Sequence, residues 1–455
     1  MTIFQVGNIE SKTEVVQDRR FACPGLFRMP AANDGGICRI KLPLGQLTTA
    51  QIDGVADAAK AYSNGHIELT TRGNIQIRGV AKNNEKSLIK TLLQLGLGPL
   101  TPEGDDIRNV MVAPTAGIDL TMSVDTTKLG GQLLEMLQFN REFAALSPKF
   151  SFLINGGETT SVHDHIADIW LAALPDGKTF NFGFASSVND NYDGKTTAVG
   201  NIPAGRALDI VRFSLECFIL IAKKNPAITR MKHLCQSNLY SEFLSDLTKR
   251  FGNKLSKPLF LPRKQGEQSP LTGIFPQKNQ RFFYIGARPE LGRLSSQQLR
   301  AISRLVQKRS AGTPLRLTHH QGIIVPDCSS REAQTIKDGL SEIGLAVDEK
   351  DPALHIFCCA GAPLCHSGLS NVQRDGKYLI DHFSIAPKAD IHLTACQKAC
   401  VATVAFPYTA LAIKDGLYDL YCADDTEKHK FGRLLCQNMT ISDVLNYLET
   451  FKNKA

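Results

Sequence analysis

The chain carries one pattern twice, and that duplication restricts its fold more than any single motif does. The stretch GQLTTAQIDGVADAAKAYSNGHIELTTRGNIQIRGV, from Gly45, is matched by GRLSSQQLRAISRLVQKRSAGTPLRLTHHQGIIVPDC, from Gly292. Each reads as Gly-x-Leu, two hydroxyl residues, an amphipathic helix, a glycine turn and a strand of alternating character. Thr48 and Ser295 sit where helix N-caps belong. Ile52, Val55, Ala56, Ala59 and Tyr62 recur at helical spacing in the first copy, as do Leu299, Ile302, Leu305 and Val306 in the second. Leu294 follows Leu47 by 247 residues and Thr318 follows Thr70 by 248, so one residue inserted in the turn reconciles the copies.

The same offset continues further along. IRNVMVAPTAGID at 107–119 falls opposite LHIFCCAGAPLCH at 354–366, and PKFSFLINGG at 148–157 has the strand-and-turn character of ADIHLTACQKAC. The expected fold class is α+β: a duplicated unit, each copy a small half-domain followed by a larger α+β domain. The expected boundaries are 21–82 and 83–250 for the first copy, 268–346 and 347–452 for the second. A linker is expected around 250–275, where KLSKPLFLPRKQGEQSPLTG is rich in Pro, Gly and charge.

The two copies differ in chemistry. Only the second holds Cys359-x5-Cys365 and Cys396-x3-Cys400. Two thiolate pairs in glycine-, alanine- and proline-rich turns suit an iron–sulfur cluster, whose irons take soft anionic ligands. A zinc ribbon would show shorter and more regular spacing. Cys358 adjoins Cys359 and is an alternative first ligand. Cys38, Cys217, Cys328, Cys422 and Cys436 lie in apolar or mixed runs and are core candidates. At equivalent positions the first copy carries Arg72, Arg78, Arg108 and Lys149. Arg72 and Arg78 are six residues apart on an expected strand and so share a face.

Bulk properties narrow the setting. The 455 residues carry a net charge of +8 with no block of like charges, which gives no sign of a nucleic-acid arm. The excess either binds a polyanionic small molecule or is an ordinary basic surface. Residues 1–20 contain no apolar export segment, and runs such as CFILIA at 217–222 are too short to span a bilayer. With twelve cysteines and no export signal, a cytoplasmic location is expected.

These residues resemble the siroheme sulfite and nitrite reductase family over about residues 22–450. LTTRGNIQIRG at 69–79 is similar to that family's substrate-face strand, with Arg72, Asn74, Gln76 and Arg78 at matching positions. IRNVMVAP, with Arg108, and PKF, with Lys149, resemble its further basic elements. The resemblance implies two ferredoxin-like half-domains plus two larger α+β domains, and a [4Fe–4S] cluster on Cys359, Cys365, Cys396 and Cys400. The last of these can bridge to siroheme iron. One departure counts against sulfite or nitrite reduction: the family's reductases carry a second lysine where this chain has Ser151.

CPGLFRMPAANDGGICRIKLPLGQLT at 23–48 resembles a different branch of the family, which hydroxylates precorrin-3A with O2 and closes a γ-lactone. That resemblance implies a [4Fe–4S] cluster and a mononuclear non-haem iron, with siroheme as the alternative. Ligands for such an iron are not specified by the sequence. His163, Asp164, His165, His319, His320, His355, His366 and His392 are all open candidates, with His319 and His320 standing where the first copy has Thr71 and Arg72. No G-x-G-x-x-G lies between a strand and a helix, so electrons are expected from an external reductase or ferredoxin, ultimately from NADH. A siroheme reductase and a non-catalytic iron–sulfur or tetrapyrrole-binding protein are the alternative readings.

Overall fold

The repeated helix starts in both copies for the same local reason. Thr48 and Ser295 close capping boxes with Gln51 and Gln298, opening helices Thr49–Tyr62 and Ser296–Val306. The turn before each helix is also shared. Leu44 and Leu291 hold φ of 51° and 50°, followed by Gly45 and Gly292 at 69° and 71°. A left-handed pair of this kind suits glycine in its second position. The computed structural model describes residues 23–188, 191–192, 195–259, 271–402, 405–424 and 430–451. Residues 1–20 and the heart of the expected linker, 260–270, lie outside the described residues.

The short strand after each turn crosses to the other copy. Gln46–Leu47 pairs with Leu315–Leu317, and Arg293–Ser295 pairs with His66–Leu69. The first sheet runs Ala31–Ala32, Gly35–Ile40, Ile75–Val80, His66–Leu69, Arg293–Ser295. The second runs Gly273–Pro276, Phe283–Pro289, Ile323–Cys328, Leu315–Leu317, Gln46–Leu47, with Leu345–Ala346 also on Phe283–Pro289. Leu47 and Leu294 are fully buried by this exchange. Each such leucine is worth about 1.5–3 kcal/mol of burial. Helices Thr49–Tyr62 and Ser296–Val306 pack together, and one core holds Ile52, Val55, Leu299 and Ile302. The two half-domains are therefore one folding unit.

The larger domains share a topology as well. In the first copy Val110–Val112, Phe152–Asn155 and Ala167–Ala173 are parallel neighbours, and Thr179–Ser186 and Gly200–Pro203 follow antiparallel. In the second copy Ile356–Cys358, Ile391–Thr394 and Tyr408–Lys414 are parallel, and Leu417–Cys422 and Arg433–Met439 follow antiparallel. Among the described residues no helix is long and apolar enough to cross a membrane.

Candidate functional site

Each cysteine pair sits where a parallel strand of the second copy ends. Cys358 closes Ile356–Cys358, so Cys359 opens the first loop, and Cys396 lies just past Ile391–Thr394. Cys359, Cys365 and Cys396 are half-buried and Cys400 is exposed. Cys359 feels Cys400 and Cys396, and Cys400 feels Cys396 and Cys365. Burial pushes the Cys359 thiol up to about 11, although the Ala395 N–H donates to its Sγ at 3.4 Å. Ligating iron there displaces a proton. Cys358 turns the other way, buried in the domain core, its Sγ 2.5 Å from where a Cβ on Gly376 would stand.

The first cysteine loop is tightly folded. A Cβ on Gly361, at φ 64°, would come within 2.7 Å of Val372, and one on Gly368 within 2.6 Å of the Ala362 nitrogen. Fully buried Ser370 braces the loop: its carbonyl accepts from Ala362 N at 2.9 Å, and its hydroxyl lies 2.9 Å from that of Tyr418. The hairpin of the first half-domain grips the loop's other side. Asn33 donates from N to Leu364 O at 3.1 Å and from Nδ2 to Pro363 O at 2.8 Å. Arg78 is held by Asp34 at 2.8 Å and also donates to Leu364 O at 3.2 Å.

The expectation of Arg72 and Arg78 on one strand face is corrected. His66–Leu69 and Ile75–Val80 are two strands of a hairpin, and Arg72 lies in the turn between them, where the Thr70 hydroxyl accepts from Arg72 N and Asn74 N. A short run of alternating residues on both sides of Gly73 reads as one strand until its pairing is known. Among the six expected substrate-binding residues, only two side chains have no protein hydrogen-bond partner among the described residues: those of Arg72, in the turn, and Lys149, exposed at the surface. Arg108 is buried against Asp105 at 3.0 Å and the carbonyls of Leu97 and Gly98. The Asn74 side chain accepts from Leu42 N, and Gln76 joins Arg39 to Glu68. Ser151 is sealed inside, its N–H donating to Asp168 at 2.9 Å.

Around Arg72 the two copies converge. Burial, then the nearby charges of Arg39 and Arg230, push Arg72 down to about 10. Arg39 also faces Cys400, so the cation face and the cysteine loops adjoin. His165 feels Arg72 and Arg230; His319 feels His165 and His320. Burial first, then Arg72 and Arg230 for His165 and the neighbouring imidazoles for His319, push both to about 3, so both are neutral at physiological pH. His165 Nε2 and His319 Nδ1 are buried without a hydrogen-bond partner among the described residues. His355 is paired with Asp390 at 2.9 Å, His366 is exposed, and His392 is enclosed beside Phe406. Among the described residues no three His, Cys, Asp or Glu side chains are gathered tightly enough to hold a single metal ion. Cys359, Cys365, Cys396 and Cys400 are the residues that would hold a cubane cluster, whose ligands spread around a cage. The histidines do not complete a mononuclear site.

Sequence reasoning missed Asn33, Asp34, Arg39, Asp168 and Arg230. The AANDGG hairpin signal marks the first two as a turn. Nothing local marks what the others touch.

A duplicated α+β fold with cysteine loops in its second half and cations in its first defines an iron–sulfur oxidoreductase architecture. The chain belongs to the nitrite and sulfite reductase family. The nitrite/sulfite reductase ferredoxin-like half domain matches residues 30–95 and 275–343, and the nitrite and sulphite reductase 4Fe-4S domain matches 103–255. The four cysteines lie beyond that last segment, in the second copy of the domain. The chain is 27% identical over 413 residues to the chloroplastic ferredoxin–nitrite reductase of Arabidopsis thaliana, covering 86% of this chain and 70% of that protein. It is 24% identical over 402 residues to the precorrin-3B synthase of Sinorhizobium sp, covering 85% and 79%. In fold it is similar to the Mycobacterium tuberculosis NirA protein, with a TM-score of 0.72 at 17% identity, over 92% of this chain and 80% of that one.

Proposed function

We propose that this chain hydroxylates precorrin-3A with O2, giving precorrin-3B with its γ-lactone. One observation carries the reading: the expected basic set Arg72, Arg78, Arg108 and Lys149 does not form one small-anion site. Arg78 and Arg108 are held by Asp34 and Asp105, Lys149 is exposed, and Ser151 is sealed where a second lysine would stand. Arg72 is left to meet a ligand. A macrocycle fringed with carboxylates suits arginine, whose planar fork binds a carboxylate bidentately. The similarity to a precorrin-3B synthase over most of both chains supports the same reading.

Cys359, Cys365, Cys396 and Cys400 would hold a [4Fe–4S] cluster, which when bound supplies one-electron transfer. The chain's own residues set the rest. Asn33 and Arg78 fix the first cysteine loop, Arg72 orients a ring carboxylate, and His165 and His319 present neutral imidazoles beside it. No step is assigned to a mononuclear iron, because the described residues do not gather its ligands. In the overall balance one atom of O2 enters the hydroxyl and the other leaves as water, with two electrons from an external reductase or ferredoxin.

The second reading is siroheme-dependent nitrite or sulfite reduction. It is favoured by the higher identity to ferredoxin–nitrite reductases, and in it Cys400, the exposed member of the four, would bridge to the tetrapyrrole iron. Turnover under labelled O2 with mass spectrometry separates the two. Label in the product hydroxyl is expected. Its absence, or efficient reduction of nitrite or sulfite, overturns the proposal.

A further inference from the structure

Asp168 is the most heavily engaged carboxylate near the site. Its side chain is 1% exposed and accepts from Ser151 N at 2.9 Å, Met231 N at 3.0 Å and Arg230 Nε at 2.8 Å, with Arg230 Nη2 at 2.7 Å. Two backbone N–H groups and a guanidinium edge fix its orientation, and Asp168 fixes that of Arg230 in turn. Arg230 is the residue just before the helix Met231–Cys235, so its backbone is anchored as well. Only Nε and Nη2 face the carboxylate, which leaves Nη1 without an acceptor among the described residues.

The charge around this point does not balance. Arg72 and Arg230 are close enough to repel each other, and Asp168 is the nearby carboxylate they share. Asp168 already neutralises Arg230. Arg72 therefore sits partly buried with no carboxylate of its own, and His165, which feels both arginines, has a buried Nε2 without a hydrogen-bond partner among the described residues. A desolvated cation without a counter-charge is costly, and an incoming anion relieves that cost.

We infer that Arg230 is a second ligand-binding cation of this site, aimed by Asp168, and that Arg72 and Arg230 together clamp one carboxylate of the bound tetrapyrrole. Asp168 is a positioning residue and does not touch the ligand. The assignment rests on the reading of Arg72 as a ligand-binding residue. It adds a cation that Asp168 ties to the Ser151 backbone, which supplies charge near the position where Ser151 brings none.

Uroporphyrin, an octacarboxylate tetrapyrrole, is the probe, titrated by fluorescence into the purified cluster-containing protein, with nitrite in a parallel titration. Arg230→Gln combined with Asp168→Asn removes both charges without leaving a buried carboxylate unpaired. That variant is expected to keep its cluster absorbance and melting temperature, to bind uroporphyrin about tenfold more weakly, and to lose part of the salt dependence of binding. Arg230→Lys keeps the charge and the pairing with Asp168 but loses the forked third donor, and is expected to weaken binding several-fold. If Arg72→Ala weakens uroporphyrin binding while both Arg230 variants bind as the parent does, the inference fails and the Arg72 reading stands. If none of the three changes affinity, the Arg72 reading fails with it. Weaker nitrite binding with uroporphyrin binding unchanged also overturns the inference, because the clamp then serves a small oxyanion.

Discussion

The turns Thr70–Asn74 and Thr318–Gly322 are one backbone with two chemistries. In each, the threonine N–H donates to the carbonyl four residues on at 2.9 Å, and its hydroxyl accepts from the residues two and four positions later. Gly73 and Gln321 hold the same left-handed φ, 62° and 60°. The turn therefore requires a hydroxyl and one residue at positive φ. Its third position carries no such demand, and it holds Arg72 in the first copy and His320 in the second. Duplication preserved the hydrogen bonds that shape the backbone and left the side chains facing the inter-copy space to diverge. The larger domains show the same division. The loop after Val110–Val112 carries no cysteine, whereas the loop after Ile356–Cys358 begins with Cys359.

The largest expected effect breaks this division outright. Cys396→Ser or Cys400→Ser should remove iron and sulfide together and abolish electron transfer, whereas Cys358→Ser should leave both in place. Iron and acid-labile sulfide analysis reads the result. A bleached Cys358→Ser protein would mean that the cluster uses the core-facing thiol.

Next in size is the clamp by which the first copy holds the second copy's loop. The Arg78–Asp34 pair is 5% and 7% exposed on its two side chains. Removing Asp34 leaves Arg78 with Glu68, at 3.7 Å, as its remaining carboxylate, so the cost falls below the roughly 3–5 kcal/mol of a fully stranded buried charge. Asp34→Ala should lower the melting temperature and speed cluster loss under a chelator. Equal cluster lifetimes in the parent and the variant would show that the hairpin does not support the loop.

Acid should expose a further cost of the buried site. His165, His319 and His392 are each pushed to about 3 by burial, against an ordinary value near 6.5. Between those limits the unfolded chain binds protons that the folded chain does not, so stability falls as pH drops from about 6.5 toward 3. Replacing His319 by Gln should flatten that limb in denaturant titrations at pH 4 to 6.5 and change little above pH 7. A parallel downward shift at every pH would instead mean lost packing alone.

The duplication, the helix caps and the α+β class were legible because each rests on residues close in sequence. Thr48 with Gln51 and Ser295 with Gln298 are local pairs. The site was legible in part. The cysteine spacing points to a cluster, but Arg78 with Asp34 and Arg108 with Asp105 read as anion binders until their partners are seen. Asp34 lies 44 residues from Arg78, and the non-local pairing of Gly35–Ile40 with Ile75–Val80 brings it there. Arg230 and Asp168 are 62 apart and meet through sheet-on-helix packing. A lone arginine in a sequence looks the same whether it faces a ligand or a buried carboxylate.

The smallest expected effect discriminates most sharply between the two functional readings. Lys149 is exposed, and its neighbour Ser151 is sealed against Asp168. If the site takes a macrocycle through Arg72, an exposed lysine contributes at most a weak, screened attraction, well under 1 kcal/mol. Lys149→Ala should then change turnover of precorrin-3A by less than about twofold, with most of that difference vanishing as salt is raised. In a small-oxyanion reductase the same lysine would have to approach the reacting anion. Its loss would remove a charge developed against in the transition state, worth a factor of about 100 or more. A small effect on hydroxylation keeps the first copy as a carboxylate-binding face. A collapse of nitrite or sulfite reduction in the same variant would make it a small-anion site, with Lys149 drawn inward when the ligand binds.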